Sequence, residues 1–374
     1  MAKDQTIERA RGAAGSMIVA SENDFDFRSE EYRSLYDASG VSGFQSPLWL
    51  HCFYKVLAPG VSAKPLIVTV REGGALKAVI PLVSQKVAGA TILQAADLGV
   101  ADYNAVICTP ETLEALCDDE SVRAALAGYI AFADILFLRK VAGDSAALDR
   151  LFGGMARSPC ENSAYVIDLK PGEFESWRKE SLKKGFRKNI DRRRRKLEGE
   201  HDQVGWKSFT APDEIEAAME FIRAERTRRF KDDILANDAY FAFYKACALA
   251  GAEGGETITA GMVVDGKIVS ADFGVMGRDC LHSILCAADI VNFGPYAPGL
   301  QSLHDLIWER SDRGDAHFDA GLGNSGYKSD FSAREVPLDN LSVPLSAKGQ
   351  AISAVYHRAK PLKNFLRKLA GKVH

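Results

Sequence analysis

The sequence predicts an α/β protein of two similar halves, each a mixed, mostly antiparallel sheet flanked by helices. Three observations predict it. An order of hairpin, helix and strand that occurs before residue 170 recurs in related form after residue 257. Glu72-Gly73-Gly74 and Asp265-Gly266 each separate two β-branched runs, as hairpin turns do. Pro298-Gly299 opens a stretch whose apolar residues Leu300, Leu303, Leu306, Ile307 and Trp308 repeat at helical spacing.

In chain order, residues 1–16 are rich in Ala, Gly and charge and read as a flexible terminus. A first half, 17–170, begins with a strand at 17–20 and a helix at 29–38. Residues 48–57 follow as a helix with Trp49, Phe53, Tyr54 and Leu57 on one face, which reads as packing. Strands at 64–71 and 75–83 flank the first turn, and another lies near 91–94. The loop 96–103 carries Asp97, Asp102 and Tyr103. A helix over 111–132, interrupted near 117–120, a buried strand at 134–139, a helix at 145–156 and a strand at 164–169 complete this half. Pro171-Gly172 marks the boundary to a second half, 171–345. It opens with one long helix, 173–198, followed by helices at 213–228 and 239–250. A meander then runs over 257–264, 267–276 and 280–287, with Gly277-Arg278-Asp279 closing its second hairpin. The helix 300–313, a strand ending at Asp319 and a last strand at 336–345 finish the sheet.

Composition narrows the class. The chain has 374 residues, 47% of them hydrophobic, enough to fill two cores. Its seven cysteines show no CxxC or Cys/His spacing, which argues for reduced thiols and against a disulfide framework or structural zinc. No apolar run reaches the roughly 18 residues of a spanning helix, and 1–17 is too polar for a signal peptide. A cytoplasmic protein is expected. The net charge of −3 hides two basic appendages, +9 over 178–196 and +7 over 346–374, on an acidic body. The basic helix within 171–200 fits a solvated face, an anionic substrate or donor phosphates, or RNA or membrane. The tail 346–374, basic and amphipathic, can lie on an anionic membrane at the inner face, dock on the protein or pair with another chain.

Tyr296-Ala297-Pro298-Gly299 before an apolar helix, then Phe318-Asp319-Ala320-Gly321 and Tyr327-Lys328, resemble the acetyltransferase domain of CelD-type cellulose-biosynthesis proteins. That domain belongs to the GCN5-related N-acetyltransferase (GNAT) superfamily and is akin to the Fem aminoacyl transferases. The resemblance runs from Phe44 to Phe331. The superfamily's usual Gln/Arg-x-x-Gly-x-Gly/Ala loop is replaced here by Tyr296 to Gly299. The resemblance implies tandem GNAT-like (acyl-CoA N-acyltransferase) domains, acetyl-CoA as co-substrate, no metal, and a place in envelope or exopolysaccharide biosynthesis.

Helix N-termini hold anions because their first amides are unpaired and the peptide dipoles add positive charge. The expected donor-phosphate residues are Tyr296, Pro298, Gly299, Leu300, Gln301 and Ser302. The first half has no such Pro-Gly helix start and is expected to act as wall and scaffold, with the cleft between the halves. In the superfamily the strand before this helix faces the thioester. His282 is therefore the candidate base, its ordinary pKa being near neutrality, against the alternative of a structural histidine. Asp319, at a strand end, orients the nucleophile or His282, or caps its loop. Tyr327 has the role of protonating the leaving thiolate that tyrosines take in the superfamily. Lys328 is a candidate for a phosphate or an acidic acceptor, and Asp272, Arg187 and Tyr103 are further substrate-binding candidates.

Gly321-Leu322-Gly323-Asn324-Ser325-Gly326 matches GxGxxG, but no apolar helix follows, so nicotinamide and flavin readings fall. No Walker, HExxH or Gly-x-Ser-x-Gly motif occurs. The expectation is transfer of an acetyl group from acetyl-CoA to an amine or hydroxyl of a small or sugar-linked acceptor. The alternatives are Fem-like tRNA-dependent aminoacyl transfer and a non-catalytic subunit of a polysaccharide-synthesis complex.

Overall fold

A computed structural model describes residues 16–143 and 145–370, the side chains of 359–370 excepted. The expected flexible terminus, apart from Ser16, lies outside the described residues. Among the described residues, fourteen strands form two seven-stranded sheets. They are β1 (Met17–Ser21), β2 (Lys64–Glu72), β3 (Ala75–Val87), β4 (Ala90–Ala95), β5 (Ile135–Val141), β6 (Ala156–Pro159), β7 (Ala164–Asp168), β8 (Val204–Ser208), β9 (Thr257–Val264), β10 (Lys267–Met276), β11 (Cys280–Ala288), β12 (His317–Leu322), β13 (Arg334–Val336) and β14 (Asp339–Pro344).

The first sheet has the order β1-β2-β3-β4-β5-β14-β6 and the second β13-β7-β12-β11-β10-β9-β8. Each contains one parallel pair, β4 with β5 and β11 with β12, among antiparallel neighbours. The repeat expected from the order of elements is therefore a repeat of whole sheets. The boundary at 170/171 needs correction. β7, placed in the first half, pairs with β12 and β13 in the second sheet, and β14, placed in the second half, pairs with β5 and β6 in the first. The halves exchange a strand each. Pro171-Gly172 marks a local turn, whereas strand partners are chosen by long-range packing that no local signal encodes.

Local chemistry accounts for the elements. Ser29, Thr109, Asp119 and Asn237 cap helices by accepting from amides of the first turn. The long helix expected over 173–198 is two, Phe174–Ser181 and Lys184–Glu200, because Leu182 turns extended (ψ 136°) and buries its side chain beside Trp177. Residues 48–57 wind as Pro47–Cys52 and then a wider turn, Phe53–Leu57. The short edge strands β6 and β8, which alternate half-buried and exposed residues, were not expected.

One core joins the halves. Trp49, Phe53 and Leu57 from the first half pack with Phe243, Tyr244 and Phe273 from the second, so the aromatic face of 48–57 is packing. The helix Ala347–Ala370 continues through Pro361. Its first half docks on the first sheet, with Ser353 Oγ and His357 Nε2 at 2.8 and 2.9 Å from Ser342 Oγ and His357 Nδ1 at 2.7 Å from Ser158 Oγ. No helix among the described residues is long and apolar enough to cross a membrane.

Candidate active site

The site is built where two parallel strands part. β11 and β12 pair from Cys280↔His317 to His282↔Asp319 and no further. Beyond that point both strands are irregular. Ser283 opposes Gly274 and Leu285 opposes Phe273, which leaves Ile284 as an extra residue in β11. β12 shifts register against β7 between Asp319 and Leu322, with Gly321 at φ +75°. His282 and Asp319 are thus the last pair before the opening.

Their side chains meet. Nδ1 of His282 lies 2.9 Å from Oδ2 of Asp319, both residues being buried. Oδ1 of Asp319 accepts from the Gly321 amide at 2.7 Å. A carboxylate accepts and does not donate, so Nδ1 carries the hydrogen and Nε2 presents its lone pair. The ring fits because two neighbours lack side chains. A Cβ on Gly43 would lie 3.0 Å from Cδ2 of His282, and one on Gly277 would lie 3.0 Å from Nε2. Phe44 and Tyr103 wall the ring at centroid distances of 5.3 and 5.8 Å.

His282 and Asp319 line a cavity of about 580 Å³ between the halves, opposite Tyr103, Val106, Leu113 and Leu148 of the first half. Burial, followed by the negative charge of Asp319, pushes the Tyr103 phenol upward, so it remains a donor facing that carboxylate. Its neighbour Asp102 is pushed up to about 6 by burial, with Lys140 pulling it down and Asp319 adding to the rise. A Cβ on Gly321 would lie 3.2 Å from Oδ2 of Asp102, which places that carboxyl against β12. Lys328 is buried and donates from Nζ to the carbonyls of Gly321 and Leu322, both at 2.8 Å. Burial lowers its pKa, while Asp319 and Asp102 oppose the shift.

The structure thus brings together His282, Asp319, Tyr103 and Lys328. Asp272 lies elsewhere, on the sheet face turned to the helix Pro298–Asp312, where it accepts from Ser302 Oγ at 2.6 Å and burial raises it to about 7. Tyr327, in the short helix Gly326–Asp330, packs with Phe331 and Leu281 on that same face. Burial, then the charges of Cys286 and Asp272, raise its phenol pKa. Arg187 does not line the cavity, and its Nε is enclosed without a partner.

The remaining candidates gather at the end of β11. Ala297 turns left-handed (φ 51°) and starts the helix Pro298–Asp312. Gln301 donates from Nε2 to the Tyr296 carbonyl at 2.8 Å, while its Oε1 is enclosed and unpartnered. A Cβ on Gly299 would come within 3.2 Å of the Ala288 Cβ. The basic helix supplies charge here. Arg193 donates to the Pro295 carbonyl at 2.9 Å, and Lys196 sits 5.3 Å over the Tyr296 ring, whose hydroxyl bonds Glu200. From the other side Arg226, ion-paired with Asp233, reaches toward the Cys286 carbonyl. Tyr296, Pro298, Gly299, Leu300, Gln301 and Ser302 therefore form one group around a helix start. Sequence reasoning missed Gly43 and Lys140, and read Gly277 only as a turn residue. A glycine next to an aromatic, as in Gly43-Phe44, is too common to mark a site.

Comparison with known proteins bears on the fold. Residues 184–329, which hold His282, Asp319 and Tyr327, match the family model described as an acetyltransferase (GNAT) domain. No curated protein matches the chain in sequence. Among solved structures, a conserved protein of unknown function from Bacteroides thetaiotaomicron has a TM-score of 0.56 at 12% identity, covering 87% of this chain and 99% of that one. FemX has a TM-score of 0.56 at 10% identity, covering 77% and 90%. A tandem GNAT protein from the clavulanic acid biosynthesis pathway has a TM-score of 0.51 at 10% identity, covering 88% and 99%. At such identities the likeness is one of fold. The chain has a tandem GNAT-like fold, and residues 184–329 in its second half are similar to a GNAT acetyltransferase domain.

Proposed function

We propose that this chain transfers an acetyl group from acetyl-CoA to an amine or hydroxyl of a small or sugar-linked acceptor. The single observation that carries the reading is the His282–Asp319 pair, set where β11 and β12 part, with Nε2 of His282 free to act and the ring lining the cavity between the halves.

The residues at the helix start fit the donor. Pro298-Gly299 opens the helix, and Arg193 and Lys196 bring positive charge to the turn before it, as an anionic donor requires. When bound, acetyl-CoA supplies a thioester carbonyl for attack and a thiolate as leaving group. The protein's own groups do the rest. His282 takes the proton of the attacking amine or hydroxyl at Nε2, and Asp319 holds Nδ1–H and balances the positive ring that results. Tyr103 and Phe44 keep the ring in place and limit water at the point of attack. Tyr327, kept protonated by its burial, has a proton to give the departing sulfur. It packs with Leu281 and Phe331 outside the cavity wall, so this role requires the thioester to reach between the parted β11 and β12.

The resemblance to CelD-type proteins supports an acceptor belonging to envelope or exopolysaccharide biosynthesis. The test is calorimetric titration of acetyl-CoA into the wild type and a Gly299→Glu variant, with thiol release followed over a panel of amines and amino sugars. Binding by the wild type alone, with thiol release dependent on acceptor, is the expected result. No binding by the wild type would overturn the reading, and the next titrant would be aminoacylated RNA.

A further inference from the structure

The cavity in front of His282 is two-faced. The wall from the second half is polar, with His282, Asp319 and Arg278, and the wall from the first half, beside polar residues such as Gln45 and Asn104, contains an apolar patch. Val106, Leu113, Val141 and Leu148 form that patch, and all four are buried within the first half's core. Behind them a narrow, almost filled gap runs on between Ile80, Leu82, Ala95 and Leu138, sharing Val106, Val141 and Leu148 with the cavity.

The position of this gap has a structural origin. β4 and β5 pair as far as Gln94↔Phe137 and then part, as β11 and β12 do after His282↔Asp319. Ala95 and Leu138, which border the gap, are the next residues along. The loop that leaves β4 turns toward the second half and brings Asp102 and Tyr103 against Asp319. What the first half retains at its own parting strands is an apolar slot that opens toward the other half's reactive pair.

We propose that the acceptor carries a hydrocarbon arm, seated against Val106, Leu113, Val141 and Leu148, while its amine or hydroxyl faces Nε2 of His282. This rests on the acyl-transfer reading and names the class of its acceptor. A cavity of about 580 Å³ accommodates a small molecule. A wholly polar acceptor would leave the apolar wall without a partner. A hydrocarbon arm gains about 0.8 kcal/mol per methylene taken from water, which is about fourfold in affinity per carbon.

The experiment is calorimetric titration of butylamine, hexylamine and octylamine into the protein without acetyl-CoA, repeated on Ala105→Leu and Val106→Phe variants. Ala105 is only half-buried at the cavity wall, so Ala105→Leu gives a filled slot even where Val106→Phe fails to fold. The expected result is a Kd that falls about three- to fourfold per added methylene in the wild type and a much flatter series in the variants. Equal affinity along the series, or a slope that both folded variants retain, overturns the proposal. Because these titrations omit the donor, the two readings fail separately. A flat amine series beside normal acetyl-CoA consumption removes the apolar subsite alone, and a steep series with no acetyl-CoA binding removes acetyl transfer alone.

Discussion

Nδ1 of His282 stands 2.9 Å from Oδ2 of Asp319, across the last rung of a parallel ladder, and the second carboxylate oxygen is held by the Gly321 amide. The pair joins two strands 37 positions apart in sequence and fixes which imidazole nitrogen is free.

That arrangement makes Asp319 a positioning residue and His282 the base. His282→Gln is expected to lower kcat by about 10²- to 10⁴-fold. Asp319→Asn can turn its amide nitrogen toward Nδ1 and favour the tautomer with hydrogen on Nε2, so a loss on the order of 10²-fold in kcat is expected with KM little changed. Thiol release from acetyl-CoA measures both. A kcat within threefold of wild type for either variant would remove the pair from the mechanism.

The two glycines against the imidazole should separate activity from stability. In Gly277→Ala the new methyl would stand 3.0 Å from Nε2 of His282 and 3.3 Å from the Cys280 carbonyl, pressing harder on the ring than on the turn. A shift of about 1 Å can cost on the order of 10²-fold in rate, so activity should fall at least tenfold with little change in Tm. Gly43→Ala would also press on the Met276 carbonyl at 2.8 Å, and is expected to cost about 1–3 kcal/mol of stability as well. Thermal melts beside initial rates test this, and full activity in Gly277→Ala would contradict it.

Asp272 should make the protein less stable as pH rises. Burial lifts its carboxyl to about 7, against an ordinary value near 3.8. The native state therefore holds a proton that the unfolded chain has lost, and stability falls between about pH 4 and pH 7. Asp272→Asn keeps a partner for Ser302 but cannot ionise. Its Tm should be less dependent on pH over that window and higher than the wild type's at pH 8, reflecting a stability difference of a few kcal/mol at most. Parallel Tm–pH curves for the two proteins would show that Asp272 does not titrate there.

Much of the fold was legible because its signals are local. Asp265-Gly266 and Glu72-Gly73-Gly74 announce their hairpins, and Pro298-Gly299 announces its helix, since turn and cap chemistry acts within a few residues. The exchange of β7 and β14 was not legible. Strand pairing across halves depends on which sheet edge offers a partner, and Ala164–Asp168 reads the same whichever sheet it joins. The break at Leu182 escaped for a related reason. A basic, well-spaced run looks continuous until the core claims one of its leucines.

The site divides in the same way. The sequence by itself determined the residue types, an imidazole and a carboxylate on strands beside a Pro-Gly helix start, because side-chain chemistry and capping belong to the residue and its neighbours. Only the tertiary structure decided that His282 and Asp319 touch, that Asp272 faces the opposite side of the sheet, and that Gly43 and Tyr103 of the first half close on the imidazole. Those relations arise where two strands part and two halves pack. Their distances are set by the summed packing of a shared core, in which no single stretch of chain contains both partners.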